Sequence, residues 1–257
     1  MGQKEETFFT LFLRGITTYL DAFKFIRENK LWKYFIPPLI LSALVLWGGY
    51  ELENTLKNYE FGDPSSMNEL ILEMVHMLWL NSLVLMAYKM RKYIVFIVLS
   101  PLLTQLSMLV EKKLTGNNYP FDWPQFRKDI VRAIRIATGN FVIEYLMVGV
   151  WFILALVIPY LHYATPYFMF ALGCYFYGFG MMDYVNERRR LNIPESVKFV
   201  REHSGLAIGN GIVFSAMFII PYDIGVIFAP VFAIVAATIA MHETVDLNKI
   251  EHAVKET

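Results

Sequence analysis

Residues 139–182, GNFVIEYLMVGVWFILALVIPYLHYATPYFMFALGCYFYGFGMM, carry a single formal charge, at Glu144. About 20 apolar residues, each rising about 1.5 Å, cross a bilayer core about 30 Å thick, so this stretch has room for two membrane helices. Pro159 to Pro166, PYLHYATP, marks the turn between them. We read 139–183 as a membrane hairpin. Charge returns at once on both sides, as RKDIVRAIRIAT before it and DYVNERRRL after it. Both flanks are rich in Lys and Arg, which the positive-inside rule places on the cytoplasmic side.

The rest of the chain agrees with that orientation. Its 257 residues are 56% hydrophobic and 16% aromatic, and the mean hydropathy is +0.42. That composition belongs to a polytopic membrane protein and not to a secreted or disordered chain. The formal net charge is zero, but 22 of the 23 basic residues fall in four blocks, 1–34, 89–138, 186–203 and 242–257. Lys57 is the exception, in a loop from Glu51 to Glu69 that also holds Glu53, Glu60 and Asp63. That loop is expected outside and both termini inside. The single Cys174 leaves no partner for an intramolecular disulfide. MGQKEET has acids and no apolar core, which argues against a cleaved leader.

From these signals we expect one all-α membrane domain, 1–257: two long spanning helices, two further hairpins and interfacial amphipathic helices. Residues 7–28 set Phe8, Phe12, Ile16, Tyr19, Phe23 and Ile26 opposite Arg14, Thr17, Asp21, Lys24 and Glu28. Steps of three and four predict an interfacial amphipathic helix. The spanning helices are expected at 35–52 and 68–92. Residues 93–138 are expected to form helices at the inner leaflet, because a crossing there would carry six basic residues outside; the first of them continues the long helix with a break near Pro101. Asp122, Pro124 and Gln125 make a capping-box pattern for the next, with a basic stripe of Lys128, Arg132 and Arg135. The second hairpin is expected at 204–241, where Gly205, Gly209 and Gly211 and then Ala233, Ala236, Ala237 and Ala240 allow close helix contact.

Two groups of polar residues stand out. Lys30 and Lys33 precede Pro37 and Pro38, prolines that suit a helix's first turn. Free amides and the helix dipole favour anions at such an end, so the lysines either form an anion site with Trp32 between them or merely orient the helix, with Trp32 and Tyr34 as interfacial anchors. Asn140 and Glu144 form a polar site inside the hairpin. An intramembrane acid is a functional candidate by default, or else it snorkels or pairs with Arg132 or Arg135. Asp183 is expected to form a surface ion pair with Arg188 to Arg190. No HExxH, GxSxG, CxxC pair or Walker loop is present, so no enzyme, metal, cofactor or nucleic-acid role is expected.

With these residues laid out, the chain resembles the EI24/CysZ family of membrane proteins. The resemblance rests on Ser100-Pro101-Leu102, Glu111-Lys112-Lys113-Leu114-Thr115-Gly116, Asp183-Tyr184, Ile220-Pro221, Ala229-Pro230 and Ala237-Thr238, in that order. It implies two long spanning helices, partly penetrating hairpins and, by its bacterial branch, a sulfate permease of the inner membrane. Membrane lipids and a small anion such as sulfate are the implied partners, and a homo-oligomer stays open. That branch associates anion binding with a Gly-Leu-Arg type motif before the first long helix. Lys30-Leu31-Trp32-Lys33 is the matching stretch, with Lys30 in place of the glycine and Trp32 in place of the arginine.

Overall fold

The computed structural model describes residues 7–57, 66–116, 123–189, 191–220 and 224–244. The side chains of 46, 52–53, 55–57, 80–97, 125–126 and 129 lie outside that description, as do Asp122, the middle of the acidic stretch, residues 221–223 and the charged tail. The described residues are all-α: α1 Phe8–Glu28, a 3-10 turn Leu31–Phe35, α2 Ile36–Lys57, α3 Met67–Thr115, α4 Trp123–Val157, α5 Leu161–Arg188, α6 Ile193–Glu202, α7 Ser204–Met217 and α8 Ile224–Thr244. Among the described residues, three segments are long and apolar enough to cross a membrane, namely Leu31–Glu51, Ile130–Val157 and Ile224–Thr244.

The bundle is built around α7 and α8. Of the apolar window in α8, 78% is buried inside the molecule, against 6% in α4. Thus α8 is the central post, and α4 turns most of its surface outward. Small residues explain how helices reach the centre, since a missing side chain lets backbones approach closely. A Cβ on Gly15 of α1 would lie 2.6 Å from the Leu206 carbonyl oxygen of α7. Gly205 and Gly209 of α7 press equally closely on the carbonyls of Phe8 and Phe12, while Gly211 meets Cys174 O of α5 and Gly178 of α5 meets Ala207 O. Helix α7 is therefore clamped between α1 and α5. Tyr19 donates to the Asn210 carbonyl at 2.9 Å, and burial pushes its phenol well above the ordinary value, keeping the donor protonated.

The face of α1 buried inside the bundle only partly coincides with the apolar stripe, sharing Tyr19 and Ile26 with it. Leu11, Gly15, Thr18, Tyr19, Ala22 and Ile26 are buried, while Phe8 and Phe23 are each 46% exposed. The apolar face of this helix is broader than the part that is buried, and within it the small residue Gly15 marks where α7 packs.

Three expected boundaries differ. The break near Pro101 does not occur. Proline removes one ladder bond, but Leu99, Leu103, Leu106 and Val110, spaced four, three and four residues apart, are buried in the core on either side of it and hold α3 straight on to Gly116. Gly116 ends the helix with φ 80°. The expected boundary at 139 is also absent: α4 runs unbroken through Gly139, because a change from charged to apolar residues changes the environment and not the backbone. The turn of the first hairpin is shorter than PYLHYATP, and Pro166 lies inside α5. Trp151 and Phe168 stack at 4.1 Å across that turn, and Trp151 Nε1 donates to Thr165 Oγ1 at 3.0 Å. Helix α6 was not expected. Its signal is a capping box, Asn192 accepting from the Glu195 amide at 2.9 Å while Glu195 accepts from the Asn192 amide at 2.8 Å.

Candidate functional site

At the junction of α1 and α2 the chain turns on one residue. Lys30 has φ 54° and ψ 43°, the only non-glycine with positive φ among the described residues. The left-handed region is strained for a residue with a Cβ. This conformation ends α1, where Asn29 Nδ2 donates to the Phe25 carbonyl at 2.9 Å, and starts the 3-10 turn that leads straight into α2. The amides free at this helix start therefore belong to the 3-10 turn beside Lys30 and not to Ile36. Leu31 and Phe35 anchor the turn, Phe35 packing on Phe228 at 5.2 Å and Phe232 at 5.5 Å of α8. Trp32 stacks on Phe35 at 5.7 Å and stays 46% exposed. Lys30 and Lys33 are exposed, and the Lys33 ammonium stands 5.5 Å from the centre of the Tyr34 ring. The turn thus gathers two solvated cations beside free amides, a weak, open setting for an anion.

A second site lies between α4 and α5. A partly open cavity of ≈ 60 Å³ is lined from α4 by Ala133, Ile136, Ala137, Asn140 and Glu144, and from α5 by Phe176, Tyr177, Gly180, Asp183 and Tyr184. Asn140 and Glu144, one turn apart, are thereby brought together with Asp183. Glu144 is buried and lies well inside the continuous α4, not near a helix start. The carboxylate faces the bundle and not the surrounding lipid. Lys30, Trp32 and Lys33 do not line this cavity.

Below the cavity, buried charges knit five helices. Arg132 of α4 pairs with Asp183 of α5 at 2.8 Å and also donates to the Leu191 carbonyl. Ser196 of α6 donates to the same Asp183 oxygen at 2.5 Å and accepts from Asn186 at 2.9 Å. Arg188 pairs with Glu111 of α3 and donates to Ser107 at 2.6 Å, and Arg189 lies 3.5 Å from Glu111. Ser107 and Thr238 of α8 share a hydrogen bond of 2.9 Å. Two expectations change here. Asp183 is not a surface partner of Arg188 to Arg190: it is buried and takes Arg132. Arg132 is accordingly committed to Asp183. The network also went unseen in the sequence, because Arg188 and Arg189 sit in a basic block that the membrane orientation already explains. Glu111, Asp183 and Thr238 carry the family resemblance and Arg132 belongs to the basic stripe, but nothing in the sequence joins them.

The two arrangements differ in kind. The network pairs Arg132 with Asp183 and gathers Arg188 and Arg189 on the one Glu111, linking helices through buried charge, whereas the junction and the cavity border open space. Among the described residues no group of His, Cys, Asp and Glu could hold a metal ion. A comparison with protein families matches residues 18–230 to a model described as sulfate transporter CysZ/etoposide-induced protein 2.4. No curated protein matches the chain.

Proposed function

The chain belongs to the sulfate transporter CysZ/etoposide-induced protein 2.4 family, and from that membership we propose that it is a multi-pass membrane permease or channel for a small oxyanion of the sulfate class. The family is one of transporters and not of enzymes. The observation that carries the proposal is the extent of the match, which runs from α1 into α8 and so takes in the junction and all of the buried network except Thr238. Three segments fit to cross a membrane support it further. In this reading the protein sits in a bacterial inner membrane with both termini cytoplasmic.

Lys30 and Lys33 are the proposed anion site, with Trp32 at its edge. Each helix-end contact contributes about 0.3–1 kcal/mol when exposed, and each charge-assisted hydrogen bond about 1.5–3 kcal/mol. Binding at so open a site is weak. With ammonium groups in place of a planar guanidinium fork, selectivity among divalent oxyanions is loose. Sulfate binding by calorimetry and sulfate flux into proteoliposomes test this together. Lys30→Gln combined with Lys33→Gln lowers both at least about tenfold, or about 1.4 kcal/mol, while Trp32→Arg raises binding. A double variant that binds and moves sulfate like the parent places the site elsewhere. A parent that does neither points instead to a membrane protein that organises lipids or partners through its amphipathic helices.

A further inference from the structure

The outward side of α4 changes chemistry along its length. Arg127, Val131, Arg135, Thr138, Val142 and Leu146 advance in steps of three and four, so they form one row on the helix, and all six are exposed. Asn140 and Glu144 fall on the other side, toward α5. Lys128, also exposed, stands two turns before Arg135 on the outward side. The beginning of this surface is therefore basic. From Thr138 to Val157 it is uncharged, because the one formal charge in that stretch, Glu144, is buried. Arg132 is turned away to Asp183, and Asp129 is two positions from both Arg127 and Val131 and so off the row. Arg127, Lys128 and Arg135 have no ion-pair partner among the described residues. Helix α1 makes the contrast: it also exposes apolar residues such as Phe9 and Leu20, but its exposed charges are Asp21, Lys24, Arg27 and Glu28, two of each sign.

We propose that this side of α4 binds an acidic phospholipid of the leaflet nearest its basic end, the phosphate at Arg127, Lys128 and Arg135 and the acyl chains along Val142 to Val157. Guanidinium forks suit phosphate oxygens. Arg135 and Val142 are about 10 Å apart along the helix, and Val142 to Val157 covers about 22 Å more, enough for the roughly 15 Å of acyl chain in half a bilayer core. Trp123, 65% exposed one turn before Arg127, is placed as an aromatic anchor at headgroup level. A free oxyanion would use the bases and leave the apolar length idle, and a zwitterionic lipid would bring its own cation to the bases. An acidic lipid uses both parts. The proposal needs α4 to face lipid and does not depend on anion transport.

The test is native mass spectrometry of the purified full chain in detergent, with phosphatidylglycerol and phosphatidylcholine of the same acyl chains in equal amounts. The parent retains the acidic lipid at least about tenfold more than the zwitterionic one, since each base at a membrane surface contributes about fivefold. Arg127→Gln with Lys128→Gln and Arg135→Gln brings the two lipids to within about threefold of each other, while the melting midpoint stays near the parent's because all three side chains are exposed. Lys24→Gln with Arg27→Gln keeps the preference. So does Lys30→Gln with Lys33→Gln, which separates this surface from the anion site. Glycerol 3-phosphate, the same phosphate chemistry without acyl chains, leaves the lipid bound at equal concentration. Equal retention of the two lipids by the parent overturns the proposal, as does a preference that survives the triple change or falls as far in either control pair. Displacement of the lipid by glycerol 3-phosphate assigns the bases to a free oxyanion and overturns it too. If the triple variant does not fold, Arg135→Glu decides: it lowers the preference at least about fivefold, and an unchanged preference overturns the proposal.

Discussion

Arg132 and Asp183 lie 51 positions apart in sequence and meet at 2.8 Å, with side-chain exposures of 14% and 6%. Their pairing joins α4 to α5, and the second guanidinium nitrogen carries the link on to the Leu191 carbonyl ahead of α6. Removing one partner of such a pair leaves the other charge buried and unanswered, the expensive way to break a salt bridge. Arg132→Met is expected to destabilise the detergent-solubilised protein by about 2–4 kcal/mol, and adding Asp183→Asn to recover part of that loss. Equilibrium unfolding of the two single variants and the double variant measures the coupling directly; additive losses would show that the pair contributes little beyond its separate hydrogen bonds.

The glycines divide into two classes, and alanine should separate them. Gly211 faces the Cys174 carbonyl and Gly178 faces the Ala207 carbonyl, so a methyl group at either pushes α5 and α7 apart. Gly211→Ala is expected to lower stability by about 1–3 kcal/mol. Gly139 and Gly149 of α4 have nothing within 4 Å of the added carbon, and Gly149→Ala should raise stability by about 0.5–1 kcal/mol through helix propensity. Melting midpoints of the two variants moving in the same direction would contradict the close α5–α7 approach.

Lys30 is exposed and left-handed, so its backbone and its charge make opposite demands. Lys30→Gly relieves the strain and should stabilise the chain by about 0.5–1 kcal/mol. Lys30→Val should destabilise it by at least that much. If the ammonium group binds anion, Lys30→Gly raises the melting midpoint and lowers sulfate affinity in the same protein. A gain in both would assign the turn to the backbone alone.

Orientation rests on the partition of basic residues, 22 of 23 in four blocks. Reporters fused after Thr257 and inserted near Asn118 should read cytoplasmic, and one near Gly62 external. An external signal at Asn118 would mean that the stretch before it crosses the membrane, and the proposed placement of both termini would fall with it.

The sequence by itself determined the class of this protein. A run of 44 residues with one charge cannot be hidden in a soluble fold of this size, and the spacing of apolar residues settled that the chain is helical. It also marked Asn140 and Glu144 as polar groups in apolar surroundings, and Lys30, Trp32 and Lys33 as a cationic edge ahead of a membrane helix. Local chemistry suffices for such readings, since hydropathy and periodicity belong to each segment alone.

Tertiary structure decided how those segments meet. Pro101 carries a local signal for a break, yet α3 continues because the core on both sides of it outweighs one lost hydrogen bond. The apolar face of α1 is broad, and the part of it turned inward is set by Gly15, where the backbone of α7 fits and a larger side chain does not. Glu144 gained a cavity, and Asp183 exchanged its neighbouring arginines for Arg132, because α4 and α5 lie side by side once the turn at 158–160 has closed. Buried charges choose partners by three-dimensional distance and by the water they lose, and neither quantity is written in the order of the residues.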